Sequence, residues 1–179
     1  MTSEAVRVDP GASTGRAIEV GGTRFELEPH NCFACGSLNT GGLQLTLHAG
    51  GERCWTELTL PERFEGWQGI AHGGIVCTVL DEVMAWALID HDAWGVTARM
   101  AVQFRAPVAL GRPIRGEGWV TEIRRRLMRT AGRLIASTTG QVLATAEGLY
   151  LAAPEEKKRE LKERYGLRRV PDRGEDAGR

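Results

Sequence analysis

Residues 69–82, GIAHGGIVCTVLDE, place two adjacent glycines and a carboxylate at a spacing that could support chemistry on a carbonyl group. Glycines at a helix start allow a ligand to approach the backbone closely. The first amides of a helix have no acceptor within the helix and lie at its positive end. We therefore expect the amide of Gly73, or alternatively that of Gly74, to polarise a substrate carbonyl and stabilise an oxyanion.

Asp81 is the candidate catalytic carboxylate of this segment. At about 100° per residue, Asp81 lies at the edge of an apolar stripe and Glu82 lies well off it. Thr78 and Ala85, one turn to either side of Asp81, are small and leave room for a ligand or another chain. A carboxylate at such a border is partly desolvated yet reachable, so it could act as a nucleophile or as a general base.

The stripe itself predicts a long helix from about residue 73 to 89. Large apolar residues recur at spacings of three and four, which is typical of a helix with one buried face. These residues are Ile75, Val76, Val79, Leu80, Val83, Met84 and Leu88.

The helix also separates the two ends of the motif. His72 and Asp81 are about 13 Å apart along such a helix and half a turn out of phase. One subunit cannot easily bring both to a single carbonyl carbon, whereas a two-fold dimer could pair the helix start of one subunit with Asp81 of the other. The sequence therefore predicts a homodimer at least, and leaves a tetramer open.

Alternation of apolar and polar residues predicts strands on both sides of the helix. Strands gathered around one apolar helix indicate an α+β domain, with an antiparallel sheet wrapped around one long central helix. We expect this domain at residues 25–153, between a flexible N-terminal arm at 1–24 and a charged helix and tail at 154–179. The predicted strands cover about residues 43–48, 54–60, 96–104, 113–124, 128–138 and 142–151.

Composition excludes several classes of partner. The 23 Lys and Arg residues cancel the 23 Asp and Glu residues, so we expect no nucleic-acid partner. No apolar run approaches the roughly 20 residues of a membrane helix, and no charged segment followed by an apolar one indicates secretion. Four cysteines without an export signal favour reduced thiols and a cytoplasmic protein.

Residues 69–82 resemble the signature of the hotdog-fold thioesterases, in particular the PaaI or 4-hydroxybenzoyl-CoA thioesterase type, in which HGG is followed by an acid nine residues after the histidine. The block CFACG at 32–36, followed by Asn39 and by Gly42 and Leu43, is similar to one at the start of many members. The segment VQFRAPV at 102–108 resembles the third strand of the family.

This resemblance covers about residues 30–153. It implies the hotdog fold and an acyl-CoA thioesterase that releases a free acid and CoA, with no metal and no cofactor beyond the CoA of the substrate. It also implies a site built across a dimer interface.

The resemblance further implies roles for individual residues. Thr97 matches a position where some relatives carry a Ser or Thr that orients water or the carboxylate. Some relatives carry an Asn ahead of HGG. This chain has no matching Asn, and Gln68 could supply the missing polar contact. Trp67 could line an acyl pocket, whereas His72 is expected to cap or fix the turn more than to transfer protons.

Five arginines near predicted strand ends could hold the phosphates of CoA, because arginine binds phosphate through two parallel hydrogen bonds. A solvated edge that discourages strand aggregation is the alternative. The five are Arg105, Arg124, Arg125, Arg126 and Arg129.

His30, Cys32 and Cys35 raise the question of a metal site. One C-x-x-C without a second pair falls short of a zinc signature. We therefore expect these residues to form a packed turn at the start of the domain, without a metal.

Two rival functions are compatible with the sequence. One is a hotdog hydratase or dehydratase, but such relatives typically carry a His five residues after the Asp, where this chain has Trp86. The other is a non-catalytic module that binds acyl-CoA in the same cleft.

Overall fold

The computed structural model describes residues 16–20, 23–166 and 168–169. Short 3-10 turns cover Glu62–Phe64 and Ile89–His91. The strands and α-helices are, in chain order, β1 (Arg16–Val20), β2 (Thr23–Leu27), β3 (Leu47–Gly50), β4 (Arg53–Thr59), β5 (Glu65–Trp67), β6 (Ile70–Ala71), α1 (Gly73–Trp86), β7 (Gly95–Phe104), β8 (Pro113–Arg124), β9 (Leu127–Ala136), β10 (Val142–Ala152), α2 (Glu155–Tyr165) and β11 (Arg168–Arg169).

Nine of these strands form one sheet in the order β11-β2-β1-β3-β4-β8-β9-β10-β7. Neighbouring strands run antiparallel, except that β1 and β3 are parallel. The strands β5 and β6 form a separate small ribbon. Five strands of the sheet, β4 and β7 to β10, contact α1, so the predicted α+β hotdog fold is confirmed.

The helix α1 presents one face to the sheet because its apolar residues recur every three or four positions. The buried residues on that face are Val76, Val79, Leu80, Val83 and Met84.

Glycines in β8 and β9 let the helix come close to the sheet. A Cβ atom at Gly118 would lie 2.4 Å from the carbonyl oxygen of Val83, and one at Gly116 would lie 2.9 Å from the Val79 side chain. A Cβ atom at Gly132 in β9 would lie 3.0 Å from the Met84 side chain. Side chains at these positions would force α1 away from the sheet.

The predicted helix is three residues too long. It ends at Trp86 with Ala87 as its C-cap, and the amide of Leu88 bonds to the carbonyl of Ala85, which tightens the last turn. The chain then reverses at Asp92, whose φ of 51° is left-handed.

The predicted strand at 43–48 begins later than expected, at Leu47. Gln44 has a φ of 50°, which a strand does not accommodate. The amides of Leu43 and Leu45 instead bond to the carbonyls of Phe33 and Ala34, both at 2.8 Å. The alternation of leucines here reflects the burial of their side chains, which occurs in a loop and not in a strand.

The predicted N-terminal arm at 1–24 falls partly outside the described residues, which begin at Arg16. Within it, Arg16–Val20 and the start of Thr23–Leu27 are paired strands of the main sheet, so this part of the arm differs from the expectation. The domain limits proposed from the sequence stay predictions. Within the described ranges, no helix has the length and apolar character needed to cross a membrane.

Candidate functional site

Asp81 lies on α1 and accepts two hydrogen bonds on a single carboxylate oxygen. Thr97 Oγ1 donates to Asp81 Oδ1 at 2.8 Å, and the Tyr150 hydroxyl lies 2.9 Å from the same atom. The Tyr150 hydroxyl is also 3.1 Å from the Asp81 carbonyl oxygen. No described residue donates to Oδ2, so one oxygen is held while the other is available for chemistry.

Strand pairing explains why these two hydroxyls meet. The strands β7 and β10 are antiparallel, and Thr97 and Tyr150 are partners in their register. Side chains of paired residues lie on the same face of a sheet, which here faces α1. The predicted residue Thr97 thus contacts Asp81.

Sequence reasoning missed Tyr150. It is only 1% exposed, and its burial and the nearby charge of Asp81 raise its pKa well above the ordinary value. The side chain therefore stays a phenol and a donor. Its position opposite Thr97 on the neighbouring strand would have identified it. That position depends on the pairing register of β7 and β10, which the sequence pattern does not determine.

At the start of α1, His72 is the N-cap, and its Nδ1 accepts from the Gly74 amide at 3.0 Å. The His72 amide bonds to the carbonyl of Phe64 at 2.9 Å. The Gly73 amide has no acceptor among the described residues. The geometry therefore favours Gly73 over Gly74 as the free donor of this turn.

Gly73 opens on a surface cleft that Trp67, Phe104 and Arg105 also line. Trp67 is 84% exposed and Phe104 is 55% exposed, so a large apolar surface lies beside the free amide. Such surface is typical of a binding region that a ligand or another chain covers. Gln68, by contrast, lines a neighbouring groove and is not brought to the Gly73 cleft.

The predicted arginines fall into two groups. Arg105 follows β7 beside the Gly73 cleft and bonds to Gln103. The turn between β8 and β9 carries the run Arg124 to Arg126, with Arg125 at a φ of 53°.

These groups lie at opposite ends of β7 within one chain. Arg126 bonds to the carbonyl of Ala152, which pairs with Gly95 at the start of β7, whereas Arg105 follows its last residue. The ten residues of β7 span about 33 Å, so one chain does not assemble all the arginines at one place. Arg124 and Arg129 both form ion pairs with Glu122, so this carboxylate already balances part of their positive charge.

The same separation applies to the groups that could act on a carbonyl. Gly73 and Asp81 are eight residues apart on α1, or about 12 Å. A Cβ at Gly73 would contact the ring of Phe104 at the end of β7, whereas Asp81 contacts Thr97 near its start.

Comparison with known proteins agrees with this fold. Residues 68–143 match the family described as the thioesterase superfamily. The matched segment contains α1, β7, β8 and β9, and the family match therefore agrees with the hotdog fold described above. No curated protein matches the chain in a sequence comparison.

Among solved structures, the chain is similar to a thioesterase superfamily protein, RHA08564, with 26% identity and a TM-score of 0.61, covering 65% of this chain and 60% of that one. Zebrafish thioesterase superfamily member 2 shows 19% identity and a TM-score of 0.58, covering 64% and 89%. The protein smu.793 of Streptococcus mutans UA159, bound to acetyl CoA, shows 17% identity and a TM-score of 0.54, covering 57% and 82%. The last two likenesses concern the fold alone.

The cap formed by His72 leads to a stability prediction. His72→Ala should lower the free energy of unfolding by about 0.5–2 kcal/mol, because the Gly74 amide loses its acceptor. His72→Asn should recover most of this loss, since Asn is a good N-cap residue. Urea unfolding followed by circular dichroism measures both. Equal stability of the Ala variant and the unchanged protein would contradict a capping role.

Proposed function

We propose that this protein is an acyl-CoA thioesterase of the PaaI type that hydrolyses acyl-CoA to a free acid and CoA. The observation that carries the proposal is the Asp81 carboxylate, which has one oxygen held by Thr97 and Tyr150 and the other free, on the central helix of a thioesterase superfamily domain. The acetyl CoA bound to smu.793 supports acyl-CoA as the substrate class.

The held oxygen orients the free one toward the substrate. As a general base, Asp81 takes a proton from water while the water oxygen bonds to the acyl carbon. The C–S bond then breaks, and the CoA sulfur leaves as a thiolate that takes up a proton. As a nucleophile, an Asp81 carboxylate oxygen instead bonds to the acyl carbon while the C–S bond breaks, which releases the CoA thiolate and leaves a mixed anhydride. Water then hydrolyses the anhydride to the free acid and the Asp81 carboxylate. Both routes need an oxyanion donor, and the Gly73 amide is the proposed one.

The complete site requires a second subunit. The strand β7 lies at one end of the sheet order, and each of its residues is exposed or half-buried. Antiparallel pairing of two β7 edges about a two-fold axis would cover this edge. It would bring the Phe104 end of one strand, with Gly73, beside the Thr97 end of the other, with Asp81 of the partner subunit.

The same pairing gives the arginines a shared place. Arg105 of one subunit and the run Arg124 to Arg126 of the partner subunit would lie at one end of the combined sheet. Arginines there would contact the phosphates of CoA. The Trp67 side chain, largely exposed in one chain, would cover part of the acyl or pantetheine portion.

The rival functions fit the geometry less well. The residue five positions after Asp81 is Trp86, whose indole nitrogen donates to Glu82 at 2.9 Å and offers no proton acceptor to an enoyl substrate. A non-catalytic binding module has no need for two hydroxyls on one carboxylate oxygen. Thiol release from acyl-CoA distinguishes hydrolysis from binding, and the absorbance of an enoyl thioester tests the hydratase.

Removing the carboxylate should abolish most turnover. Asp81→Ala and the isosteric Asp81→Asn should both lower kcat by about 10²-fold to 10⁴-fold, the range for loss of a positioned base. Thiol release from a panel of short, long and aromatic acyl-CoAs measures the effect, with circular dichroism to verify the fold. A well-folded variant with near-normal thiol release would exclude Asp81 from the mechanism.

Tyr150 is proposed as a positioning residue. Tyr150→Phe keeps the buried ring and removes one donor to a charged carboxylate, a loss of about 1.5–3 kcal/mol, or about 10-fold to 100-fold in kcat. KM should change little, because the buried hydroxyl lies behind Asp81. Tyr165→Phe on α2 is the matched control.

Combining Tyr150→Phe with Thr97→Val separates positioning from general destabilisation. Because both hydroxyls act on Asp81 Oδ1, their losses should be non-additive in kcat. Additive losses, or full kcat in Tyr150→Phe, would remove Tyr150 from this role.

Mixing two inactive variants tests the shared site. Gly73→Pro removes the amide donor at a helix position where proline is well tolerated, and Asp81→Ala removes the carboxylate. Random exchange places one intact site in each hybrid dimer, so activity should recover to about a quarter of the normal level. A fully active monomer in light scattering at assay concentration would contradict the shared site.

A further inference from the structure

The turn that contains Cys32 and Cys35 is tightly closed. The Gly36 amide bonds to the Cys32 carbonyl at 2.9 Å. A Cβ atom at Gly36 would lie 2.4 Å from the His30 carbonyl oxygen, so only glycine fits. The turn holds the two sulfur atoms within 4.8 Å of each other, so both can reach one ion.

Glu82 reaches the same turn from α1, some 50 residues further along the chain. Its Oε2 lies 4.0 Å from Cys32 Sγ, and the ligand atoms of Cys32, Cys35 and Glu82 all lie within 4.8 Å of one another. The other carboxylate oxygen, Oε1, accepts from the Trp86 indole at 2.9 Å. Glu82 is thus oriented by an outer partner with one oxygen left toward the sulfurs.

His30 adds a nitrogen at the edge of this group. Its Nε2 lies 3.4 Å from Cys35 Sγ, and its Nδ1 lies 2.9 Å from the Glu28 carbonyl oxygen. Since a carbonyl only accepts, Nδ1 carries the proton, and Nε2 presents its lone pair toward Cys35. This arrangement, with the second ring nitrogen bonded to a carbonyl, is typical of histidines that bind metals.

We propose that Cys32, Cys35 and Glu82 bind one zinc ion, with His30 as the fourth ligand. Zinc prefers four ligands of sulfur, nitrogen and oxygen in a tetrahedron. Ligand distances of about 2.0–2.3 Å place neighbouring ligand atoms about 3.3–3.8 Å apart. The 4.0 Å between Cys32 and Glu82 and the 3.4 Å between His30 and Cys35 lie close to that range. Cys32, Cys35 and Glu82 already lie within 4.8 Å of one another, whereas His30 lies outside that group and would move toward it on binding.

The charge of the pocket favours a cation. The contacts of the Glu82 carboxylate are to the Trp86 indole and the Cys32 thiol. No described Lys or Arg forms an ion pair with Glu82, so this carboxylate has no cationic partner among the described residues. A zinc ion would displace the thiol protons and neutralise the group. Thiolate ligands disfavour magnesium and calcium, which prefer oxygen.

The ion would join two parts of the chain, and a third would pack beside it. Cys32 and Cys35 belong to the segment that precedes β3, Glu82 belongs to α1, and Tyr165 of α2 packs edge-on against His30 with ring centroids 5.0 Å apart. The role inferred is structural, because all four protein ligands close the coordination shell. The C-x-x-C motif has no second pair of ligands beside it in sequence. His30, just before the motif, and Glu82, far along the chain, would provide that pair.

The test measures metal rather than activity. The full chain, produced with added zinc and purified under reducing conditions without chelator or histidine tag, should contain about one zinc per chain by mass spectrometry of the metal. Replacement by cobalt(II) should produce thiolate-to-cobalt charge-transfer absorption and tetrahedral d–d bands. Cys32→Ser and Glu82→Gln should each weaken zinc affinity by more than about 100-fold, beyond the loss caused by an outer partner.

Matched variants keep the proposal falsifiable. Cys77→Ser changes a cysteine of α1 outside the group and should retain the zinc. Glu82→Gln preserves size and the donor–acceptor contact with Trp86, so it remains informative if Cys32→Ser fails to fold. His30→Ala should weaken binding as well, and unchanged affinity would overturn its assignment as the fourth ligand. A metal-free protein after zinc reconstitution, or a disulfide between Cys32 and Cys35 in place of zinc, would overturn the site.

Discussion

The apolar face of α1 packs against one face of the sheet, and the positions of the groups in the candidate site follow from this contact. Gly116, Gly118 and Gly132 allow the helix to lie directly against β8 and β9. Because the helix is fixed in depth and rotation, Gly73 comes to the Phe104 end of β7 and Asp81 to the Thr97 end. Hydrophobic burial, which has no directional requirement of its own, thereby determines the orientation of a polar site.

Adjacent acids on this helix have different surroundings for the same reason. Asp81 points to the hydroxyls of β7 and β10, whereas Glu82, 100° further around, points to the cysteine turn. The helical periodicity correctly predicted that Asp81 and Glu82 point in different directions, but it described their positions only relative to the apolar stripe. It contained no information about the N-terminal segment that covers the other side of α1, so the surroundings of Glu82 were not predictable from periodicity.

Local patterns predicted the features that local forces determine. The sequence predicted three features of this kind: the apolar stripe of α1, the alternation in β7 to β10 and the spacing of Asp81 from HGG. They are visible because apolar side chains recur with the period of a helix or a strand. Tyr150 and the division of the arginines depend on strand order and register, which arise from contacts between residues far apart in sequence. The late start of β3 and the early end of α1 reflect backbone conformations at Gln44 and Leu88 that periodicity does not encode.

The place of β7 in the sheet has a consequence for the order in which the chain folds. It is made before β8, β9 and β10, yet its partner in the described sheet is β10, the last of these strands to leave the ribosome. Until then neither edge of β7 has a partner, and a long unpaired strand can associate with other nascent chains. Thr97 and Tyr150 meet only at the closing step, so the carboxylate of Asp81 acquires its full hydrogen-bonded setting when synthesis of the domain is almost complete.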